Sequence, residues 1–151
     1  MKYFVIILLC CATLVFQSCK PISYSSEVIF QAKENSGVYI VRAFGYAKKS
    51  KDAGLEAEKN AFKVVLFKGL PGTDLSVPLV ENESTSMSQN KSFYDKFFDG
   101  GGYRSFIMNR NDSYTPKKIR NGYQSEVTIK INIAALRREL EQNQIIRKFG
   151  Y

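Results

Sequence analysis

The chain contains no histidine, and this absence excludes the commonest hydrolytic and zinc chemistry. A Ser-His-Asp triad, a Cys-His pair and the usual histidine-ligated zinc sites all require that residue. Carboxylates, lysine and tyrosine are the groups left for an enzyme, and none of the fourteen acidic residues lies in a recognisable catalytic motif. We therefore expect a protein that is not an enzyme and that holds neither a metal nor a cofactor.

Asp95 and Asp99 come closest to a catalytic pair. They are four residues apart on a short predicted helix and could face each other. Glu56 and Glu58 are two residues apart on a longer predicted helix, so they point in different directions. A solvated acidic flank explains Asp95 and Asp99 better than catalysis does, and a carboxylate hydrolase is the least favoured of three functional hypotheses.

Long hydrophobic runs are also scarce. The N-terminal apolar run, residues 3–16, has fourteen residues, whereas a transmembrane helix needs roughly 20. Lys2 precedes it, and this arrangement is typical of a secretory signal peptide. Residues 15–19 (VFQSC) then resemble the lipobox of bacterial lipoproteins. The resemblance implies cleavage between Ser18 and Cys19 and acylation of Cys19, and a plain signal peptide with an incidental cysteine is the alternative.

Cysteine is sparse, and its placement agrees with such a lipobox. Only Cys10, Cys11 and Cys19 occur, so a mature chain that begins at Cys19 keeps a single cysteine. A lone thiol is a liability in an oxidising compartment unless it is modified, and two or more acyl chains would give a stable membrane anchor. The implied organisation is a signal peptide over residues 1–18, a lipid anchor and tether over 19–26, and one domain over 27–151. Because no acidic cluster follows Cys19, we expect an outer-membrane lipoprotein that faces the periplasm.

Basic residues outnumber acidic residues, 22 against 14. Removing the leader, in which Lys2 is the one charged residue, lowers the formal net charge from +8 to +7. No nucleic-acid motif accompanies this charge, so we expect no nucleic-acid partner. Anionic head groups or an acidic partner would suit it, and lysines that merely keep the domain soluble are the alternative. The three basic clusters are Lys48, Lys49 and Lys51; Lys117, Lys118 and Arg120; and Arg137 and Arg138.

Two hydrophobic periodicities organise the rest of the chain. Residues 27–33 and 38–46 are rich in β-branched and aromatic side chains and predict two strands joined by a turn. Residues 123–133 alternate apolar and polar side chains, which predicts an antiparallel strand covered on one face. Residues 51–68 and 133–140 predict helices. The remaining predictions are a polar connection (73–90), a short aromatic helix (91–99), a glycine break (100–102), a strand (103–110) and an apolar tail (144–151) that packs on the domain or binds a partner.

This order predicts an α+β fold, a two-layer sandwich in which a small, mainly antiparallel sheet carries the helices on one face. A strand with Ala43 and Gly45, followed by a helix with Ala53, Ala57 and Ala61, resembles the LPP20-like lipoproteins and the N-terminal domain of the flagellar assembly protein FlgT. The resemblance extends over residues 38–140, although residues 73–102 depart from the pattern. It implies an envelope-anchored domain that binds other proteins or helps to assemble a larger structure.

The leading functional hypothesis is a non-enzymatic lipoprotein that acts as an assembly or scaffold subunit of an envelope complex and has a protein partner there. Its predicted partner-binding residues are aromatic side chains that we expect to be exposed: Phe93, Tyr94, Phe97, Phe98 and Tyr103. The alternative is an envelope lipoprotein that binds a small ligand or a glycan. In that case aromatic rings would stack on sugars, and residues 73–90 would close over the site.

Overall fold

The computed structural model describes residues 28–34, 37–111 and 116–148 of the chain. The predicted signal peptide, the Ser18–Cys19 cleavage site and the tether lie outside the described residues. The strands are β1 (Val28–Lys33), β2 (Val38–Ala47), β3 (Ile107–Asn111), β4 (Lys117–Ile119) and β5 (Gly122–Asn132). The α-helices are α1 (Ser50–Phe67), α2 (Glu83–Gln89), α3 (Lys91–Tyr94) and α4 (Ile133–Gln142), and a π-helical turn (Asp95–Asp99) and a 3-10 helix (Gly102–Phe106) lie between α3 and β3.

The strands form one antiparallel sheet in the order β1-β2-β5-β3, and β4 pairs with the same edge of β5 as β3 does. The central pair is long, because β2 and β5 stay in register from Val38 opposite Asn132 to Ala47 opposite Tyr123. The main helices pack on one face of this sheet. The predicted α+β sandwich with a mainly antiparallel sheet is confirmed.

Alternation along β2 and β5 creates the buried face. Tyr39, Val41 and Ala43 on β2 are buried, as are Val127 and Ile129 on β5, whereas the residues between them are partly exposed. Since successive side chains of a strand point to opposite faces, the period-two pattern alone places one row against α1. This is why the pattern in β5 predicts its structure so well.

The alanine stripe of α1 allows the helix to lie unusually close to the sheet. Ala53, Ala57 and Ala61 are all fully buried. A Cβ atom on Gly45 of β2 would collide with the backbone nitrogen of Ala57 and the carbonyl oxygen of Ala53. The small residues of β2 therefore lie directly against the alanine stripe, and Gly45 is required for its lack of a side chain.

Two element predictions are wrong in part. The predicted polar connection, residues 73–90, contains α2, which Asn82 caps by accepting a hydrogen bond of 2.9 Å from the Thr85 amide. This helix exposes almost every side chain, so it lacks the apolar period that predicts helices. The predicted strand over residues 103–110 begins only at Ile107, because the 3-10 helix that follows Gly101 (φ 75°) turns Tyr103 into the core.

The described part of the apolar tail packs on the domain. Ile145 and Ile146 are partly buried against the core, and the Ile145 amide donates a hydrogen bond of 2.8 Å to the carbonyl oxygen of Leu140. Residues 149–151 lie outside the described residues. Across the described ranges, every helix is too short or too polar to span a bilayer.

Candidate functional site

A groove of about 920 Å³ separates residues 74–90, which follow α1, from residues 144–148, which follow α4. We call it the loop–tail groove. It lies at the end of the sheet where β1 finishes and β2 begins, since its lining residue Asp74 contacts Lys33 and Tyr39. We call this end the groove end. At the opposite end of the sheet, β2 finishes at Ala47 and β5 begins at Gly122. We call it the anchor end, because the first residue of β1, which follows the predicted lipid anchor in the sequence, lies toward it.

Hydrogen bonds and buried leucines hold the connecting wall of the groove in place. The Leu70 amide donates to the carbonyl oxygen of Leu75 at 2.6 Å, and the Val80 amide donates to the carbonyl oxygen of Leu66 at 2.8 Å. Leu75, Leu79 and Val80 are buried. The wall is therefore an ordered extension of the core, while Val77, 71% exposed, remains at its surface.

Asp74 joins the connecting wall to both strands at the groove end. The Lys33 ammonium lies 2.6 Å from one carboxylate oxygen of Asp74, and the Tyr39 hydroxyl donates to the other. These hydrogen bonds, that of Lys33 first, lower the pKa of Asp74 below its ordinary value. Burial, followed by the hydrogen bond to Asp74, raises the pKa of Tyr39. Asp74 therefore stays ionised and bound at neutral pH.

The two walls carry opposite charges. Asp74 and Glu81 belong to the connecting wall, whereas Arg137, Arg147 and Lys148 line the side formed by α4 and the tail. The apolar side chains between them include Leu79, Ile145 and Ile146. Such a surface presents negative charge on one side and positive charge on the other, which suits a polar chain segment better than a purely apolar ligand.

A buried carboxylate lies elsewhere in the domain, between α1, the 3-10 helix and β3. Glu58 is 1% exposed, and one of its oxygens accepts from the Tyr103 hydroxyl at 3.0 Å and from the Arg104 Nε at 3.3 Å. Its other oxygen accepts from Arg110. Burial first, and then the charge of Glu58, raises the pKa of Tyr103 to about 12. Tyr103, Arg104 and Arg110 all donate to Glu58, so this cluster serves as a buried structural ion pair.

Sequence reasoning missed Glu58 as a buried group. The signal for it was its helical position: Gly54 and Phe62, four residues to either side, share its face of α1 and are buried. A lone glutamate on a face of small and aromatic residues indicates a partnered buried acid. Its partners could not be identified from the sequence, because they lie more than forty residues away.

The predicted exposure of the aromatic site residues is wrong. Tyr94, Phe97, Phe98 and Tyr103 are all buried, and Phe93 is partly buried against them. Both aromatic pairs of this segment turn inward and complete the core with Phe62, whose ring centroid lies 5.8 Å from that of Phe97 and 5.3 Å from that of Tyr103. Four of these five side chains therefore belong to the core, and Phe93 remains partly exposed.

Asp95 and Asp99 do not form a pair. Asp95 binds Lys91 at 2.5 Å, whereas Asp99 lies 3.7 Å from Lys59 on α1. Within the described ranges no three histidine, cysteine or acidic residues come together as a metal site. The predicted lipidation residue, Cys19, and the cleavage residue Ser18 lie outside the described residues.

No family model, curated protein or solved structure matches this chain. The resemblances of the lipobox and of the domain therefore stay predictions.

Proposed function

We propose that this chain is a lipid-anchored, non-enzymatic scaffold protein of the cell envelope that holds a protein partner in the loop–tail groove. The observation that carries the proposal is the placement of the groove. Val28, the first residue of β1, lies opposite Ala43 toward the anchor end, whereas Lys33, its last residue, lies beside Asp74 at the groove end. A lipid on Cys19 would thus tether the chain ahead of β1, with the groove beyond the far end of that strand.

The dimensions of the domain support this orientation. Helix α1 has 18 residues, which is about 27 Å at the usual rise, and it runs from the anchor end back toward the residues that form the groove. The eight residues between Cys19 and Val28 reach at most about 28 Å when fully extended. Because β1 runs from Val28 toward the groove end, the groove would lie on the side of the domain away from the point where the chain enters it, and another envelope protein would have access to it there.

Charge supports a protein partner more than a catalytic role. The oppositely charged walls of the groove match an extended segment with its own charged side chains. Glu58, the one fully buried carboxylate of the described residues, is bound by three donors. We place the protein at the outer membrane, facing the periplasm, as part of the same proposal.

Photocrosslinking in intact cells tests the proposal. A photoreactive amino acid replaces Val77 in the groove of the full-length chain, and Met108 is the matched control because it is 59% exposed and lies on β3 outside the groove. We expect one discrete protein adduct from position 77, its loss in Cys19→Ala, and no such adduct from position 108. Equal adduct patterns from both positions, or none from position 77 in protein shown by mass spectrometry to be lipidated, would overturn the proposal.

The volume of the groove favours a second candidate function. About 920 Å³ falls within the range of roughly 300 to 1,000 Å³ that is usual for small-molecule sites. An envelope glycan that raises the melting temperature of the wild-type protein, and not that of Val77→Arg, would favour a ligand-binding lipoprotein. Absence of a shift with every glycan would count against it.

A further inference from the structure

We propose that the anchor end of the domain is a membrane-contacting surface that binds anionic lipid head groups. It consists of Lys48, Lys49, Lys51, Lys117, Lys118 and Arg120, which we call the basic end. This inference rests on the proposed lipid anchor and adds to it the surface that faces the bilayer.

The fold brings two separate basic clusters of the sequence together. Tyr123 of β5 lies between Ala47 of β2 and Lys118 of β4. Because neighbouring strands are about 4.8 Å apart, the backbones of Ala47 and Lys118 are about 10 Å apart. A Cβ atom on Gly122 would lie 3.3 Å from the Cα atom of Lys48, so the β4–β5 turn also touches the start of the first cluster.

The six side chains are all exposed. Elsewhere Lys33, Lys59, Lys91 and Lys130 each have an acidic partner within 4 Å. Among the described residues no carboxylate lies within 4 Å of any of the six, although Asp52 in the first turn of α1 lowers the local charge by one. Grouped lysine and arginine of this kind near a bilayer attract anionic lipids.

The position of two of these lysines on helix α1 gives a second indication. Lys49 occupies its N-cap and makes no side-chain capping bond, and Lys51 lies in its first turn. Cations are unfavourable at this position, because the helix N-terminus is itself positive, and Ser, Thr, Asp or Asn would cap it. Local rules of this kind are typically broken where function requires it, and an anionic surface is the ligand that would gain from both the lysines and the helix dipole.

The path of the chain places this surface within reach of the lipid. Val28 lies opposite Ala43, four residues or about 13 Å from the end of β2. The residues between Cys19 and Val28 span at most about 28 Å, so acylated Cys19 can sit in the bilayer while the basic end rests on its surface. The positive charge of the basic end and the position at which β1 begins therefore both favour an anionic membrane as the partner of this surface.

Amide hydrogen exchange tests the inference. The full-length chain is expressed in a bacterium and then placed in lipid nanodiscs. The discs contain phosphatidylcholine alone or mixed with phosphatidylglycerol. We expect exchange over residues 48–51 and 117–122 to slow by about tenfold in the anionic discs at low salt, and the protection to disappear at high salt. This protection should be lost in a triple variant of the basic end, Lys48→Gln, Lys117→Gln, Lys118→Gln. The protection should remain in a matched triple variant that removes the same charge from exposed sites outside the basic end, Lys68→Gln, Lys96→Gln, Arg138→Gln.

Equal exchange in both kinds of disc, or equal protection in both triple variants, would overturn the inference. Whether the chain stays bound to the neutral discs tests the lipid anchor independently of the basic end. A chain that is lost from neutral discs but protected on anionic ones would refute the anchor and leave the basic end standing. Slowed exchange without a crosslinked adduct at position 77 would refute only the partner in the groove.

Discussion

At the scale of single residues, Glu58 shows how one buried charge joins three elements. Its carboxylate on α1 binds Tyr103 and Arg104 of the 3-10 helix and Arg110 of β3. The arginine side chains are 51% and 35% exposed, so water screens them while Glu58 itself is desolvated. Burying such a carboxylate is tolerable only when every lone pair is used.

Replacing Glu58 by glutamine should lower the free energy of unfolding by about 2 kcal/mol. The change keeps the shape but removes the buried negative charge that both arginines bind, and partial solvation of these arginines limits the loss. Urea unfolding followed by circular dichroism measures it. Glu56→Gln on the same helix is the control, because Glu56 is partly exposed and pairs only with Lys59, and it should change stability by less than about 0.5 kcal/mol. Equal effects of the two substitutions would contradict the structural role of Glu58.

Tyr103 should make stability fall at alkaline pH. Its pKa in the folded protein is raised to about 12 from the usual tyrosine value of 10.0, so the folded state holds the phenolic proton more tightly than the unfolded state does. The resulting contribution is fully present below pH 10 and is lost as pH rises through 12. Urea unfolding at a series of alkaline pH values should therefore show a shallower decline for Tyr103→Phe than for the wild type. A decline as steep as that of the control Tyr123→Phe would refute this assignment.

At the scale of elements, periodicity decides what could be predicted. The alternation in β5 and the alanine stripe in α1 each put one kind of side chain on one face, so sequence alone locates both elements and their packing. Helix α2 has no apolar face and depends on its Asn82 cap and on its neighbours. The loop–tail groove and the basic end arise from pairings between distant residues, which no local pattern of the chain contains.

The aromatic helix illustrates why its exposure was predicted wrongly. Phe93, Tyr94, Phe97 and Phe98 cover more than one helical face, which for an isolated helix indicates an exposed apolar surface. Here a tight succession of α3, the π-helical turn and the 3-10 helix wraps these rings around Phe62. The path of the chain through three short elements, rather than the periodicity of any one element, buries these aromatic rings.

Truncation of Phe97 should therefore destabilise the fold. Phe97 is 4% exposed and its ring lies near those of Phe62, Phe98, Tyr103 and Phe106, so Phe97→Ala should lower the free energy of unfolding by about 3 to 5 kcal/mol. Phe93→Ala is the control, because Phe93 is only partly buried and should cost clearly less. Thermal unfolding by calorimetry measures both. A stable Phe97→Ala protein would restore the exposed-interface interpretation of this segment.

At the scale of the whole molecule, the fold separates two chemistries along its length. The anchor end gathers positive charge where β2 passes into α1, and the groove end carries walls of both signs beside the Lys33–Asp74 ion pair. Antiparallel pairing causes this separation. It directs β1 toward the groove end, returns β2 to the basic end, and leaves the connection after α1 and the tail after α4 to meet at the groove end.

This polarity predicts how the domain stands on a bilayer. In anionic nanodiscs that contain spin-labelled lipid head groups, nuclear magnetic resonance of the full-length chain should show strong broadening of the Lys118 amide. The Val77 amide should keep its intensity, because it lies near the groove end. Val77 and Lys118 are both exposed, so the comparison reports distance from the bilayer rather than burial. Equal broadening of the two amides would mean that the domain lies flat on the membrane, and the groove would then face the lipid instead of a partner.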